Sequence, residues 1–108
     1  MAVLIEEALA GRCARLLGPG PLGGEVDACR ERLDAAVADA AAMAEARAAA
    51  SELAVRAAAA LAVREGSRAV AVDQHPQRLS REALFLLVFG SRPGIKSGLL
   101  RRFGASTG

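Results

Sequence analysis

Apolar residues recur at helical spacing along most of this chain. Residues 2–17 place Leu4, Ala8, Leu9, Leu16 and Leu17 near one face, with Glu6, Arg12 and Arg15 elsewhere, and the segment GPGPLGG ends that helix. From Glu25 to Glu65 there is no Gly or Pro, and Ala, Leu, Glu and Arg are strong helix formers, so propensity alone would write one unbroken helix. Length forbids it: at 1.5 Å per residue such a rod would reach roughly 60 Å, against a radius of gyration of about 13 Å for a domain of this size. The chain must turn back, and LDAAVADAAAM, with Asp34 and Asp39 as candidate N-caps, is where the turn is expected. A second helix over about 24–38 and a third over about 42–64 follow from that placement.

The third helix carries a thin seam at Met43, Ala46, Ala50, Leu53, Ala57 and Leu61, with Glu45, Glu52 and Arg56 on another face. Glu52 and Arg56 are spaced to pair along the helix. Gly66 and Ser67 end it, and a short segment 68–72 leads to DQHP, where Pro76 suits a first helical turn. A fourth helix then runs to Phe89. Its inner stripe is Leu79, Ala83 and Leu86, but Leu84, Phe85, Leu87, Val88 and Phe89 close the ring, so part of that half must be covered by something or form an exposed interface patch. A short helix from Pro93 to Phe103 completes the expected fold, an all-α antiparallel four-helix-type bundle with an extra C-terminal helix, one domain over residues 1–108.

Composition narrows the picture. Hydrophobic residues make up 53% of the 108, but alanine is the commonest of them and only 3% are aromatic, so burial per residue is modest. Charges are balanced at +2 and interleaved, apart from the adjacent Arg101 and Arg102. That distribution argues against nucleic acid or an anionic membrane as partner. The longest run of large apolar residues is far short of the roughly 20 a membrane span needs, and Met1 leads into no signal-type segment, so a soluble cytoplasmic protein is expected. Cys13, Cys29 and the single His75 give neither a zinc pattern nor a disulfide framework, and no metal is expected. The two cysteines lie symmetrically about Pro21 and are expected as reduced, buried thiols facing one another across a helical hairpin. His75, directly before a proline, is expected to be a solvated residue rather than a catalytic one.

The stretch from Gln77 to Arg102 resembles the end of the C-terminal helical domain of the acyl-CoA dehydrogenase family. There, an Arg-Leu-x-Arg-Asp-Ala run leads through an apolar helix to a Tyr-Glu-Gly-Thr turn and an Ile-containing last helix. Arg78, Leu79, Arg81, Glu82 and Ala83 fill the first part, Phe89 falls on the tyrosine and Ile95 on the isoleucine. The preceding ELAVRAAAALAVREGSRAV is similar to the long helix before it, which in the family leads to a Gly-rich loop. The resemblance covers the earlier helices loosely and the last third specifically.

That resemblance implies a flavin adenine dinucleotide (FAD) protein that α,β-desaturates acyl-CoA thioesters, with a bundle that packs on a neighbouring subunit and helps hold the flavin. It implies a homo-oligomer, or association with an acyl-CoA dehydrogenase-like subunit. The family's usual base falls on Gly90, which has no proton acceptor, so no catalytic residue is assigned. Glu6 or Glu7 would be the substitutes in members whose base sits on the first helix, but their offset from Gly11 does not match, and both are expected to serve the helix dipole instead. Cofactor contacts carry over to Gly66, the remaining glycine of the loop, and to Ser91 and Arg92, which replace the Gly-Thr after the base. The family's flavin-enclosing domains have no counterpart in these residues, so tight FAD binding by the isolated chain is not expected. The competing expectation is a non-enzymatic helical oligomerisation or interaction module derived from that family. An unrelated Ala-rich regulator or nucleic-acid binder fits less well, since no basic face with base-reading side chains stands out.

Overall fold

A computed structural model describes residues 2–66, 75–89 and 93–106, with the side chains of 2–4, 75, 76, 88, 89 and 93 outside it. Five helices follow one another: α1 (Ala2–Leu17), α2 (Pro21–Ala35), α3 (Ala40–Glu65), α4 (His75–Phe89) and α5 (Pro93–Arg102). There is no strand among the described residues, so the chain is all-α. No helix among them is long and apolar enough to cross a membrane.

Local chemistry sets each boundary. Gly18, at φ 85, takes the left-handed conformation that closes α1, and its N–H reaches the Ala14 and Arg15 carbonyls at 3.1 and 3.2 Å. The α1 end is also capped from a distance, because the Arg64 guanidinium donates to the Leu16 and Leu17 carbonyls at 2.6 and 2.8 Å. α2 begins three residues earlier than the spacing predicts, at Pro21 in the first helical turn, where a missing N–H is no loss; Gly23 and Gly24 are carried inside the helix. It also ends three residues earlier, at Ala35, and the turn centres on residues 36–38. Asp39 is the N-cap of α3, its Oδ1 accepting from the N–H groups of Ala41 and Ala42 at 3.0 and 3.2 Å; Asp34 lies inside α2. α3 ends at Gly66, φ 65, whose N–H reaches Ala62 and Val63. Segment 68–72 lies outside the described residues.

α3 is the hub, the one helix among the described residues that packs against all four others. Its 26 residues span about 39 Å at helical rise, matching the 40 Å long axis of the molecule. The expected seam is buried at Ala46, Ala50, Leu53, Ala57 and Leu61, with Met43 half-buried. Burial also wraps round to Ala48, Ala54 and Ala58, because small side chains let helices approach from several sides. The main core joins these to Leu9, Ala10, Cys13 and Ala14 of α1, Val26, Cys29 and Leu33 of α2, and Leu79 and Ala83 of α4. A second cluster holds α5 to α3 through Ile95, Leu99 and Ala48. Gly98 faces that contact so closely that a Cβ there would sit 3.1 Å from the Ala48 Cβ and 3.3 Å from a Glu45 oxygen.

On α1 the buried face is rotated from the expected one. Glu6, Leu9, Ala10, Cys13 and Ala14 point inward, whereas Ala8 and Leu16 are exposed. Within the expected ring on α4, Leu86 packs on the main core, Leu87 on the α5 cluster, and Leu84 and Phe85 stand 58% and 57% exposed, while the side chains of Val88 and Phe89 lie outside the described residues.

Candidate functional site

Two places concentrate chemistry. The first is the contact of α1 with α3, where Glu6 is buried and its Oε2 accepts a 2.6 Å hydrogen bond from the Ser51 hydroxyl. Loss of solvent pushes the Glu6 carboxyl above the ordinary carboxylate range, while the Ser51 hydrogen bond and the positive Arg47 pull it partly back. Arg47 Nε is itself buried and has no hydrogen-bond partner. A buried acid with a raised pKa is the kind of group tuned for proton transfer. Glu6, however, does not line the α1–α4 groove described below, and its near oxygen is occupied by Ser51. The arrangement binds α1 to α3 through one buried polar contact.

Glu7 turns the other way and accepts from Arg30 Nε of α2 at 2.8 Å. Neither glutamate belongs to the first turn of α1. Their expected partnership with the helix dipole therefore gives way to two specific cross-helix contacts.

The second place is a groove of about 500 Å³ between α1 and α4, lined by Ile5, Arg12, Arg78, Arg81, Glu82, Phe85 and Leu86. It continues into a smaller hollow of about 280 Å³ that shares Arg12 and Arg78 and adds Arg15, Leu16 and Leu79. Four arginines thus face one glutamate over an apolar floor. Glu82 Oε2 stands 3.7 Å from Arg12 Nη2, an ion pair beyond hydrogen-bond length, and that oxygen has no hydrogen-bond partner. Arg15 and Arg81 form no ion pair among the described residues.

Of the three cofactor contacts expected by resemblance, Gly66 is the one within the described residues, and Ser91, Arg92 and the Gly90 base position lie outside them. Gly66 stands at the end of α3, and a Cβ added to it would meet nothing within 4 Å. Its positive φ accounts for the glycine without any cofactor approaching its backbone. His75 is the first residue of α4. The described residues hold no group of three or more His, Cys, Asp or Glu side chains able to bind a metal.

Cys13 and Cys29 are both buried free thiols of the main core, and burial raises both above the ordinary thiol value.

No protein-family model matches this chain, and no curated protein or solved structure matches it either.

The arginine groove escaped the sequence reading because its two walls are far apart in the chain. A signal was present: Arg12 and Arg15, and again Arg78 and Arg81, are three apart, the spacing that puts two side chains on one helix face.

Proposed function

We propose that these residues form a helical bundle of the acyl-CoA dehydrogenase C-terminal type, a part of a flavoprotein assembly that desaturates acyl-CoA thioesters and has no catalytic activity alone. One observation carries the reading. The Arg78-Leu79-x-Arg81-Glu82-Ala83 run sits on α4 with Leu79 and Ala83 buried against α3 and the arginines outward, and α5 follows after residues 90–92 with Ile95 buried. Three apolar positions of the resemblance, Leu79, Ala83 and Ile95, are buried in this bundle, which supports the reading.

In this reading the flavin-enclosing domains come from elsewhere in the same polypeptide or from another subunit, and Gly90 supplies no base. The second reading, a helical module that associates without chemistry, draws on large apolar side chains left exposed outside the α1–α4 groove, Leu84 on α4 and Phe103 after α5.

A domain exchange separates the two. The C-terminal bundle of an acyl-CoA dehydrogenase is replaced by residues 1–108, and flavin absorbance is measured beside dye-coupled oxidation of a panel of acyl-CoA thioesters. The flavoprotein reading expects a yellow exchange protein and a colourless isolated chain. A folded exchange protein without flavin would favour the association module. Turnover by the isolated chain would overturn both. Gly90→Glu is expected to leave the isolated chain inactive, because a restored carboxylate repairs neither cofactor binding nor substrate positioning.

A further inference from the structure

We propose that the α1–α4 groove is a docking site for an acidic amphipathic helix of another protein. Charge complementarity commits the occupant. Arg15 on the α1 wall and Arg81 on the α4 wall form no ion pair among the described residues, and between the walls the apolar faces of Ile5 and Phe85 are 51% and 57% exposed. From Ile5 to Leu16 the α1 wall runs about 17 Å, three helical turns, which suits a segment offering apolar anchors at i, i+3 or i+4 and i+7. Acidic side chains flanking that stripe would meet arginine on both walls, and guanidinium groups bind carboxylates in a paired, directional way.

The groove's own chemistry rules against two other occupants. A second copy docking the same face would set arginine against arginine. The exposed side of α2 on a second copy, which mixes Asp27, Glu31 and Asp34 with Arg30 and Arg32, has no apolar stripe to insert, because Val26, Cys29 and Leu33 are buried in its own core. A lipid surface calls for protruding apolar residues, and here the floor is recessed between two helices. Leu84, which protrudes, does not line the groove and is left to any self-association. The inference does not depend on the family reading.

The test uses the full 108-residue chain and a displayed library of 14-residue helices carrying Leu, Ile or Phe on one stripe and Asp or Glu on its flanks. A matched library carries Lys and Arg on the flanks. Enrichment from the acidic library alone is expected. Binding of an enriched peptide, read by fluorescence anisotropy, should weaken about tenfold or more in Phe85→Ala and by a similar factor in Arg15→Glu/Arg81→Glu. It should also weaken several-fold between about 0.05 and 0.3 M NaCl. Circular dichroism checks that each variant is folded, and Leu84→Ala should leave the affinity unchanged.

No enrichment, or enrichment insensitive to these substitutions, overturns the proposal. So does binding to phosphatidylglycerol vesicles that is lost in the same variants while peptides fail, which would assign the groove to a membrane. Self-association abolished by Phe85→Ala would assign it to a second copy.

Discussion

Two furrows between helices run along this molecule, and they handle charge in opposite ways. The one between α2 and α3 is lined by Glu25 and Glu52 as well as Arg32, Arg56 and Arg102, over a floor that includes Cys29 and Leu53. Its charges close on each other. Arg56 reaches Glu25 of α2 at 2.8 Å and also hydrogen-bonds Glu52 one turn back on α3. The furrow between α1 and α4 has a comparable apolar floor but four arginines and one loosely held glutamate. In the first, Arg56 takes both glutamates that line it; in the second, Arg15 and Arg81 form no ion pair among the described residues. What separates structural from interacting surface here is the balance of the charge, more than its amount.

The floors should behave alike and the rims should not. Leu53→Ala and Leu79→Ala each remove a side chain about 2–3% exposed, and each should lower unfolding free energy by about 2–5 kcal/mol in urea titrations. Phe85→Ala, at the open face of the α1–α4 groove, should cost less than about 1 kcal/mol, because most of that ring is already in water. An equally large loss for Phe85 would mean that the ring is part of the core and that the contrast between the furrows is wrong.

At the rims, Arg56→Ala should destabilise by about 0.5–1 kcal/mol, less in high salt, whereas Arg81→Ala should stay within about 0.5 kcal/mol of wild type. Equal effects would erase the distinction between a sealed and an open furrow.

Acid tests the electrostatics from two directions, since Glu25 in the α2–α3 furrow and Glu6 in the α1–α3 contact are shifted in opposite ways. Arg56 holds Glu25 below the ordinary value, so the stabilisation from Glu25 is present above about pH 4.5 and is lost as pH falls through its lowered pKa. Burial raises Glu6 on α1, so its contribution is greatest below about pH 4.5 and is lost as pH rises through its raised pKa. Glu25→Gln should therefore be less stable than wild type at neutral pH and converge with it in acid. Glu6→Gln, which can still accept from Ser51, should be at least as stable as wild type at pH 8 and lose any advantage on acidification. Melting temperatures across pH test both, and slopes of the same sign would refute the assignment.

The smallest effect concerns the thiols. Cys29 reaches the floor of the α2–α3 furrow at 7% exposure, while Cys13 is fully buried. A thiol reagent on the native protein should label both slowly, Cys29 first.

Much of this fold is legible in the sequence because alanine periodicity is simple. The α3 seam, the Asp39 cap, the Glu52–Arg56 pair and the end of α4 all follow from spacing and local chemistry. The α1 face does not, since a glutamate at an inward position looks like a solvent residue until Ser51, 45 positions away, is seen to receive it. The start of α2 is missed for another reason: Gly23 and Gly24 argue against helix, and Pro21 at the first turn outweighs them. The groove was legible only in halves, as two arginine pairs whose meeting is a property of tertiary packing.

The alanine lining of α3 also shapes how stability should vary with temperature. Each buried alanine withdraws little apolar area from water, and the heat-capacity increment of unfolding scales with that area. An average chain of this length would show roughly 1.4 kcal/mol/K, and this one should fall below it. Alanine also loses no rotamer freedom on burial, so a hub built from it is assembled at little side-chain entropy. The two effects act together: the protein should have a broad, shallow stability curve, with cold and heat unfolding far apart and only a modest maximum between them.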